Sequence, residues 1–324
     1  MRFTVSAPAS SANLGPGFDA LGLALDLWNE LEIDTDGPAG ECRLTGTEAA
    51  LLDGCENLSL TAMRELASTH GRELPPFAMT VRTDVPVARG LGSSAAAIVA
   101  GLVAADALLG LGLSRDDLYA VALRMEGHGD NVGAALYGGA VVAVPGAAAP
   151  VRLLTHADLG LEAVVFIPQA TGATRAARAA LPATVPHADA AFNVAAVAGL
   201  VLGLHTGDRA LIAAGMRDRL HEPYRARLFP HLEPMCVAAR EAGALGAVLS
   251  GAGPSILALC EPAAASAVEE ALCDVAGSAC TPGAVRRLLP ASRGARLIQS
   301  PGPKAVANGA ERGITPSLAP LNRG

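Results

Sequence analysis

Three glycine-rich segments carry most of the residues that could bind an anionic ligand: Ser10–Asp19, Pro86–Ala96 and Ser250–Ser255. In the second segment Gly90 and Gly92 allow a tight turn, and Ser93 and Ser94 start an apolar run typical of a buried helix. A helix N-terminus with free amide groups and hydroxyls forms a phosphate site. Taken alone, this segment is more often just a serine-capped helix after a tight turn. Three such segments in one chain favour a shared ligand, although turn chemistry accounts for each one singly.

Two arginines, Arg178 and Arg225, lie in regions with few other charges. A guanidinium group binds a carboxylate through two parallel hydrogen bonds, so this pair suits the carboxylate of a small amino acid. The alternative for either residue is an exposed position on a helix surface. Arg175 and Arg227 are close enough in the sequence to be confused with them.

Candidate groups for metal binding and proton transfer lie between Glu126 and Asn131. A carboxylate near a phosphate loop is a ligand that Mg²⁺ prefers, but a glutamate at a helix end is more often simply solvated. His128 is the one motif side chain that ordinarily titrates near neutrality, so it is a candidate base. Asp19 and Asp130 are the alternatives.

The order of these segments resembles the GHMP kinase superfamily, which includes galactokinases, homoserine kinases and mevalonate kinases. The middle segment matches the family's P-x-x-x-G-L-G-S-S-A-A phosphate loop at every fixed position. Within the superfamily, the chain is most similar to the homoserine kinases over roughly residues 1–285. Four stretches carry this likeness: Pro8–Gly22, Glu126–Val132, Thr174–Pro182 and Glu222–Leu228.

The resemblance implies an ATP-dependent and Mg²⁺-dependent kinase that phosphorylates the hydroxyl of L-homoserine in threonine biosynthesis. The nucleotide is expected on Pro86, Val87, Ala88, Arg89, Gly90, Leu91, Gly92, Ser93, Ser94, Ala95, Ala96, Gly251 and Gly253. Mg²⁺ is expected on Ser94 and Glu126, and the amino acid on Asp19, His128, Asn131, Arg178 and Arg225. Asn13, Asp19, Glu126 and Arg178 are the expected catalytic residues. Homoserine kinases are thought to work without a dedicated base, which leaves catalysis to positioning and charge stabilisation.

Hydrophobic periodicity predicts the elements that must position these residues. The predicted strands are Arg2–Pro8, Leu21–Ile33, Phe77–Val85, Leu161–Pro168, Ala247–Leu249 and Ile256–Cys260, with a loop at Ala9–Gly17. The predicted helices are Asn57–Thr69, Ser93–Leu109, Ser114–Met125, Thr174–Ala180, Ala190–His205, Asp208–Leu220, His231–Glu241 and Ala263–Val275. Near parity of strands and helices indicates an α+β or α/β protein.

We expect an ATP-binding domain over residues 1–150, a second domain over residues 151–290 and a flexible tail over residues 291–324. The resemblance implies that the first domain is like the second domain of ribosomal protein S5 and that the second is ferredoxin-like. The tail is locally basic, rich in Pro and Gly, and without periodicity.

Composition excludes several nucleotide-binding designs. The chain has 324 residues, and its 24 Lys and Arg residues include a single lysine, Lys304. A Walker-A loop, the strand lysine of protein kinases and a Schiff-base lysine are therefore excluded. A GC-rich genome, which encodes arginine more often than lysine, explains the scarcity of lysine. The exclusions hold whatever the cause of that scarcity.

Charge, cysteines and hydropathy describe the expected surroundings of the protein. A net charge of −7 argues against nucleic acid or an anionic membrane as the main partner. The six cysteines form no C-x-x-C pair, and we expect reduced thiols in the cytoplasm. The uncharged runs Asn131–Val151, Ala190–Gly207 and Ala242–Cys260 are interpreted as buried elements rather than membrane spans. A homodimer is compatible with the resemblance.

Three other functions stay open at this point. A GHMP kinase for another alcohol, such as mevalonate or a sugar, is the nearest alternative. A nucleotide-binding relative without activity is the second. A Rossmann dehydrogenase is disfavoured because the loop lacks the G-x-G-x-x-G pattern.

Overall fold

The computed structural model describes residues 1–153 and 160–299. The strands in this part of the chain are β1 (Arg2–Asn13), β2 (Gly17–Asp34), β3 (Cys42–Thr45), β4 (Ala78–Arg82), β5 (Ala140–Val142), β6 (Val151–Arg152), β7 (Glu162–Pro168), β8 (Gly246–Leu249), β9 (Ile256–Cys260), β10 (Gly283–Leu288) and β11 (Arg296–Gln299). The helices are α1 (Ala49–Leu52), α2 (Leu58–Thr69), α3 (Ser93–Leu109), α4 (Arg115–Glu126), α5 (Gly129–Tyr137), α6 (Thr174–Ala179), α7 (His187–Thr206), α8 (Arg209–Gly215), α9 (Glu222–Arg225), α10 (Leu232–Glu241) and α11 (Ala265–Ser278).

The first sheet is built on a long hairpin of β1 and β2. Its strand order is β11-β1-β2-β4-β3, with β5 beside β2 and β6 beside β5. Antiparallel pairing of β1 and β2 runs from Arg2↔Asp34 to Asn13↔Gly17. The predicted loop from Ala9 is therefore wrong up to Asn13. Residues 9–13 are buried, and pairing with β2 outweighs the turn preference of their serines.

Helix α3 is the buried centre of the first domain, as its apolar sequence predicted. Ala95, Ala96, Val99 and most residues up to Ala105 are nearly inaccessible to solvent. The helix begins after Gly92, whose φ of 67° lies in the left-handed region. The packing around α3 therefore fixes where its N-terminus points.

The second sheet is antiparallel, with strand order β10-β7-β9-β8. Helices separate β7 from β8, a short hairpin joins β8 to β9, and α11 leads into β10, which is the ferredoxin-like arrangement. One face of this sheet packs against α10 and α11. The other face shares an apolar cluster with Leu21, Leu23 and Leu25 of β2, so the two domains are joined by hydrophobic packing. The two-domain α+β expectation is confirmed.

The predicted tail is wrong for residues 291–299. Ala291 and Ala295 are buried, and β11 pairs antiparallel with β1 through Phe3↔Gln299 to Ser6↔Arg296. The outer edge of β1 needs a partner for its backbone groups, which local composition does not reveal. Residues 300–324 of the predicted tail lie outside the described part of the chain.

Two predictions for the segment after residue 186 also need correction. Helix α8 ends at Gly215 instead of Leu220, because the carboxylate of Asp218 accepts the backbone N–H groups of Leu220, His221 and Glu222 and turns the chain. Helix α7 is long and apolar enough to cross a membrane, yet only 22% of its apolar 18-residue stretch is buried within the protein. The expectation that this run is buried is wrong for most of its length.

Candidate active site

One cleft of about 650 Å³ is lined by residues from all three glycine-rich segments and from both domains. It brings together these predicted site residues: Asn13, Asp19, Pro86, Ala88, Arg89, Gly90, Leu91, Gly92, Ser93, Ser94, Glu126, His128, Asn131, Arg178, Arg225 and Gly251. Four predicted residues lie elsewhere: Val87, Ala95, Ala96 and Gly253.

The four outlying residues have local explanations. Ala95 and Ala96 are on the core side of α3, and the N–H of Ala96 donates to the carbonyl of Gly92. Val87 faces a neighbouring pocket. Gly253 packs against the ring of Phe229, where a Cβ atom would lie 2.5 Å from a ring carbon.

Close backbone contacts hold the glycine-rich segments together. A Cβ atom on Gly90 would lie 2.2 Å from the carbonyl oxygen of Ser250, and Gly90 has a left-handed φ of 75°. The hydroxyl of Ser250 donates to the Gly90 carbonyl at 2.7 Å. A Cβ atom on Gly92 would lie 2.1 Å from the Ser10 hydroxyl. These contacts require glycine and fix the phosphate loop against both other segments.

The guanidinium group of Arg89 makes its polar contacts within the protein. Its guanidinium group pairs with Glu48 at 2.7 Å and donates to the carbonyls of Pro168 and Gln169. The same Glu48 carboxylate accepts the N–H of Val87 at 3.2 Å. Arg89 therefore ties the loop to α1 and to the second domain, although its sequence position suggested a ligand contact.

Ser94 and Glu126 meet at the rim of the cleft. The Ser94 hydroxyl donates to the Glu126 carboxylate at 2.9 Å, which joins the start of α3 to the end of α4. One hydroxyl and one carboxylate oxygen side by side form the hard donor set that Mg²⁺ prefers. A second group of possible ligand atoms, on Asp19, His128 and Asp130, lies within 4.8 Å of one another.

His128 is oriented by a buried carboxylate. Its Nδ1 lies 2.6 Å from Asp130 Oδ1, and Asp130 is 1% exposed. This hydrogen bond raises the pKa of His128, although burial acts in the opposite direction. Asn131 accepts a hydrogen bond from the Ser10 hydroxyl at 2.9 Å. The imidazole therefore holds its proton more tightly than a free histidine.

Asn13 organises the segment that carries Asp19. Its side chain donates to the Gly251 carbonyl at 2.8 Å and accepts the N–H of Asp19 at 3.0 Å. Both Asn13 and Asp19 have a left-handed φ, at 70° and 58°. Asn13 thus caps its own loop.

Arg178 and Asp19 form a bidentate ion pair at the mouth of the cleft. The two N–H···O distances are 3.0 and 2.7 Å, and each side chain is a little over one-third exposed. The hydrogen bonds to Asp19 raise the pKa of Arg178. Arg175, the other candidate on this helix, is exposed and does not line the cleft.

Arg225 is a buried cation at the inner end of the same cleft. It is 2% exposed and donates to the carbonyls of Ala177 and Gly251 at 3.2 and 3.1 Å. Among residues 1–153 and 160–299, no carboxylate forms an ion pair with it. Burial lowers the pKa of Arg225, and the positive charge of Arg178 acts in the same direction. The site therefore has a desolvated positive charge that suits an anion.

Sequence reasoning missed several residues around Arg225. His221 lies 3.3 Å from the Arg225 guanidinium through Nδ1 and 2.8 Å from the Gly15 carbonyl through Nε2. The guanidinium carbons of Arg225 and Arg178 lie 5.4 and 5.6 Å from the centre of the Phe18 ring. The i,i+4 spacing of His221 and Arg225 on one helical face was the available signal. Thr174 also lines the cleft.

A second, larger pocket adjoins the first one. Its volume is about 1220 Å³, and it shares Ala88, Ser93, Ser94 and Thr174 with the cleft. Its walls are mostly apolar, with contributions from β3, α2 and β4. Their sequence contains no motif that would have predicted this pocket.

Fold and cleft together define the class of the protein as a GHMP kinase. The family model for the GHMP kinases N terminal domain matches residues 57–139, and the model for GHMP kinases C terminal matches residues 200–277. The structure is similar to the crystal structure of mevalonate kinase from L. major, with a TM-score of 0.65 and 18% identity over 88% of this chain and 94% of that one. That likeness concerns the fold alone.

Three relatives give the family within this class. The homoserine kinase of Synechococcus sp. strain WH7803 is 46% identical over 83% of this chain and 87% of its own length. The homoserine kinase of Moorella thermoacetica is 41% identical over 91% and 99%. The crystal structure of homoserine kinase from Cytophaga hutchinsonii matches with a TM-score of 0.82 and 31% identity over 92% and 97%. The chain belongs to the homoserine kinase family.

Proposed function

We propose that this chain transfers the γ-phosphoryl group of ATP to the side-chain hydroxyl of L-homoserine and so produces O-phospho-L-homoserine for threonine biosynthesis. One observation carries the proposal. A single cleft has a phosphate loop at a helix N-terminus on one wall and the charged set Asp19, Arg178 and Arg225 on the other. The homoserine kinases that share 41–46% identity with the chain support the same substrate.

We assign the nucleotide to the first wall of the cleft, which contains the phosphate loop and is called the phosphate wall below, and to the adjoining pocket. The first N–H groups of α3 have no partner inside the helix, so they can donate to phosphate oxygens. The apolar pocket that shares Ser93, Ser94 and Thr174 with the cleft is continuous with this position and suits a purine nucleoside.

Magnesium is assigned to Ser94 and Glu126. Their oxygens are already neighbours at 2.9 Å, and both are hard ligands beside the phosphate loop, so the residues fit the ion. Mg²⁺ would neutralise phosphate charge when bound. With a single lysine, Lys304, far outside the site in the sequence, the chain relies on backbone amides and this ion for that purpose.

We assign the amino acid to the second wall of the cleft, which contains Asp19, Arg178 and Arg225 and is called the amino-acid wall below. Arg178 and Arg225 would bind the carboxylate and Asp19 the ammonium group, while Asn13, His128 and Asn131 border the place for the hydroxyl. The hydroxyl oxygen attacks the γ-phosphorus in line, the bond to the bridging oxygen of ADP breaks, and the proton passes to phosphate oxygens or water. No dedicated base is required in this proposal, because in-line positioning and charge stabilisation can supply the rate.

Release of ADP in a coupled assay tests the reaction directly. Turnover that depends on homoserine, with no turnover on mevalonate or galactose, is the expected result. Turnover on another alcohol alone would replace the substrate, and ATP binding without turnover on any alcohol would indicate an inactive relative. Full Mg-ATP-dependent activity of Glu126→Ala would contradict the metal assignment. An Asp19→Asn variant without turnover but with unchanged homoserine affinity would contradict the mechanism without a base.

A cytoplasmic location, a homodimer and the absence of nucleic acid and membrane partners belong to the same proposal. The net charge of −7 supports the exclusion of anionic partners. Light scattering on the purified chain tests the homodimer, and a monomer at micromolar concentration would contradict it.

A further inference from the structure

His221 is a fully buried histidine beside Arg225, and it does not line the cleft. Its Nε2 lies 2.8 Å from the carbonyl oxygen of Gly15, and its Nδ1 lies 3.3 Å from Nη1 of Arg225. A carbonyl oxygen only accepts hydrogen bonds and a guanidinium group only donates them, so Nε2 carries the proton and Nδ1 is an acceptor. These two partners therefore select the neutral Nε2–H form of the imidazole.

The surroundings of His221 hold the ring in this form and in this place. Burial lowers the pKa of His221, and the positive charge of Arg225 acts in the same direction. The carboxylates of Asp218 and Asp19 act against them. Nε2 lies 3.8 Å from the Asp218 carboxylate, which is too far for a hydrogen bond. That carboxylate instead accepts the backbone N–H of His221 and the side-chain amide of Asn193, both at 2.7 Å. The ring is therefore a fixed, neutral acceptor.

The hydrogen bonds of Arg225 leave one edge of its guanidinium group open. Nε donates to the carbonyl of Ala177 at 3.2 Å. Nη1 donates to the carbonyl of Gly251 at 3.1 Å and to Nδ1 of His221. These bonds use every N–H of Nε and Nη1, and within the described part of the chain Nη2 takes part in no hydrogen bond. All of the acceptors are neutral, so the group is oriented while its charge stays uncompensated.

We propose that His221 is a positioning residue for substrate binding: it orients the guanidinium group of Arg225 as a neutral acceptor and leaves Nη2, with the full positive charge, for the carboxylate of the amino acid. This inference rests on the proposed function, because it assumes that this carboxylate binds at Arg225. A carboxylate in the place of the imidazole would orient the guanidinium group but also neutralise it. An apolar side chain there would leave one N–H of Nη1 buried without a partner.

Two amide variants separate the two edges of the imidazole. In His221→Asn the amide oxygen can take the place of Nδ1 and accept from Arg225, but the side chain is too short to reach Gly15. In His221→Gln the amide nitrogen can take the place of Nε2 and donate to Gly15, but the acceptor beside Arg225 is lost. We expect KM for homoserine to stay within about 3-fold of the wild type in His221→Asn and to rise by roughly 10-fold or more in His221→Gln. Because the carboxylate contact is the same in the ground state and the transition state, kcat and KM for ATP should stay within about 2-fold in both variants.

His231→Gln is the matched control. His231 is another buried histidine of the second domain, its Nε2 lies 2.9 Å from the carbonyl of Pro254, and it does not line the cleft. This variant should leave KM for homoserine unchanged even where it lowers stability. In an Arg225→Gln background the two His221 variants should have the same KM for homoserine, because the group that they orient differently is gone. Thermal unfolding shows that each variant is folded before its kinetics are compared.

Nitrogen NMR of the wild type with labelled histidine tests the form of His221 without a substitution. The signals that disappear in His221→Asn should belong to a ring with a proton on Nε2, a bare Nδ1 and no titration between about pH 6 and pH 8. A protonated ring in this range would overturn the proposal, because an imidazolium group cannot accept from Arg225.

Two kinetic results would overturn the positioning role alone. One is an equal KM for homoserine in His221→Asn and His221→Gln. The other is a larger rise in His221→Asn, which would make the contact with Gly15 the important one. Absence of homoserine-dependent ADP release from the wild type would instead overturn the proposed function, and the positioning role with it.

Discussion

The two walls of the cleft are built by different means. The phosphate wall consists of backbone and small side chains, and its geometry is set by contacts such as the approach of Gly90 to the Ser250 carbonyl. The amino-acid wall consists of long charged side chains that pair with each other and with carbonyl groups. The one arginine in the phosphate loop, Arg89, makes its polar contacts to other protein groups.

This difference matches what each ligand requires. The phosphate groups of the nucleotide are the same in every turnover, so a rigid set of backbone amides can be preorganised to bind them. An amino acid has to be distinguished from other small alcohols, and charged side chains can make that distinction. We therefore predict that substitutions which change shape impair the phosphate wall most, and that substitutions which change charge impair the amino-acid wall most.

Gly90→Ala should give the largest effect, because its Cβ atom would meet a backbone oxygen that cannot move freely. We expect turnover to fall by at least about 100-fold through displacement of the loop. Gly110→Ala is the matched control. This glycine also has a left-handed φ at the other end of α3, but nothing lies within 4 Å of the position that an added Cβ atom would take.

The control should lose about 1–2 kcal/mol of stability and retain turnover when folded. Steady-state kinetics and thermal unfolding of both variants make the comparison. Similar turnover in the two variants would show that close approach to Ser250 does not shape the phosphate wall.

Arg225→Gln should give the next largest effect, confined to the amino-acid wall. Loss of a charge-assisted bidentate contact should raise KM for homoserine by roughly 100-fold and leave KM for ATP within about 2-fold. The free energy of unfolding should change by less than about 1 kcal/mol, because lost hydrogen bonds and relief of an unpaired buried cation oppose each other. Arg227→Gln, on an exposed neighbour, should change neither KM. A parallel rise of both KM values would remove the distinction between the walls.

The phosphate wall was predictable from sequence because its chemistry is local. Gly90, Gly92 and Ser94 are nearly contiguous, and the motif also implies the helix that follows. The outlying Ala95 and Ala96 show the limit of this reasoning, since a motif does not say which face of a helix is turned to the core. Helix α3 and the ferredoxin-like sheet followed from periodicity and resemblance.

The amino-acid wall was only half predictable, because its geometry depends on distant contacts. Sequence suggested Asp19, Arg178 and Arg225 as ligand-binding residues, but it could not show that the first two are paired. The end of α8 at Gly215 and the return of β11 to β1 were missed for the same reason. A side chain that replaces a helical hydrogen bond, and a strand that completes a distant edge, leave no periodic signal.

Glu48→Gln should have a moderate effect on the phosphate wall. It weakens the anchor of Arg89 and leaves the guanidinium with its carbonyl partners. We expect KM for ATP to rise by about 3- to 10-fold, with KM for homoserine nearly constant. Glu41→Gln, which alters the exposed pair with Arg43, is the control. If Glu48→Gln affected homoserine instead, Arg89 would act on the second domain and not on the loop.

The smallest effect on turnover is expected from Glu222→Gln, which tests whether charge behind the amino-acid wall makes stability depend on pH. Burial raises the pKa of Glu222 to about 8 from 4.5, against the hydrogen bond from the Leu249 N–H. The folded state therefore holds this proton more tightly than the unfolded chain. The resulting stabilisation is complete below about pH 4.5 and is lost as the pH rises through 8.

Glutamine cannot lose a proton and can keep the hydrogen bond from Leu249, so the variant should lack this loss. Relative to the wild type it should gain stability between about pH 5 and pH 8.5, by on the order of 2 kcal/mol, with turnover near neutrality within about 2-fold. Urea denaturation at the two pH values measures the gain, and Glu233→Gln, at an exposed position of α10, is the control. An equal difference from the wild type at both pH values would mean that Glu222 is already ionised beside Arg225. The buried arginine would then have a partial counter-charge, and its demand for a substrate carboxylate would be correspondingly weaker.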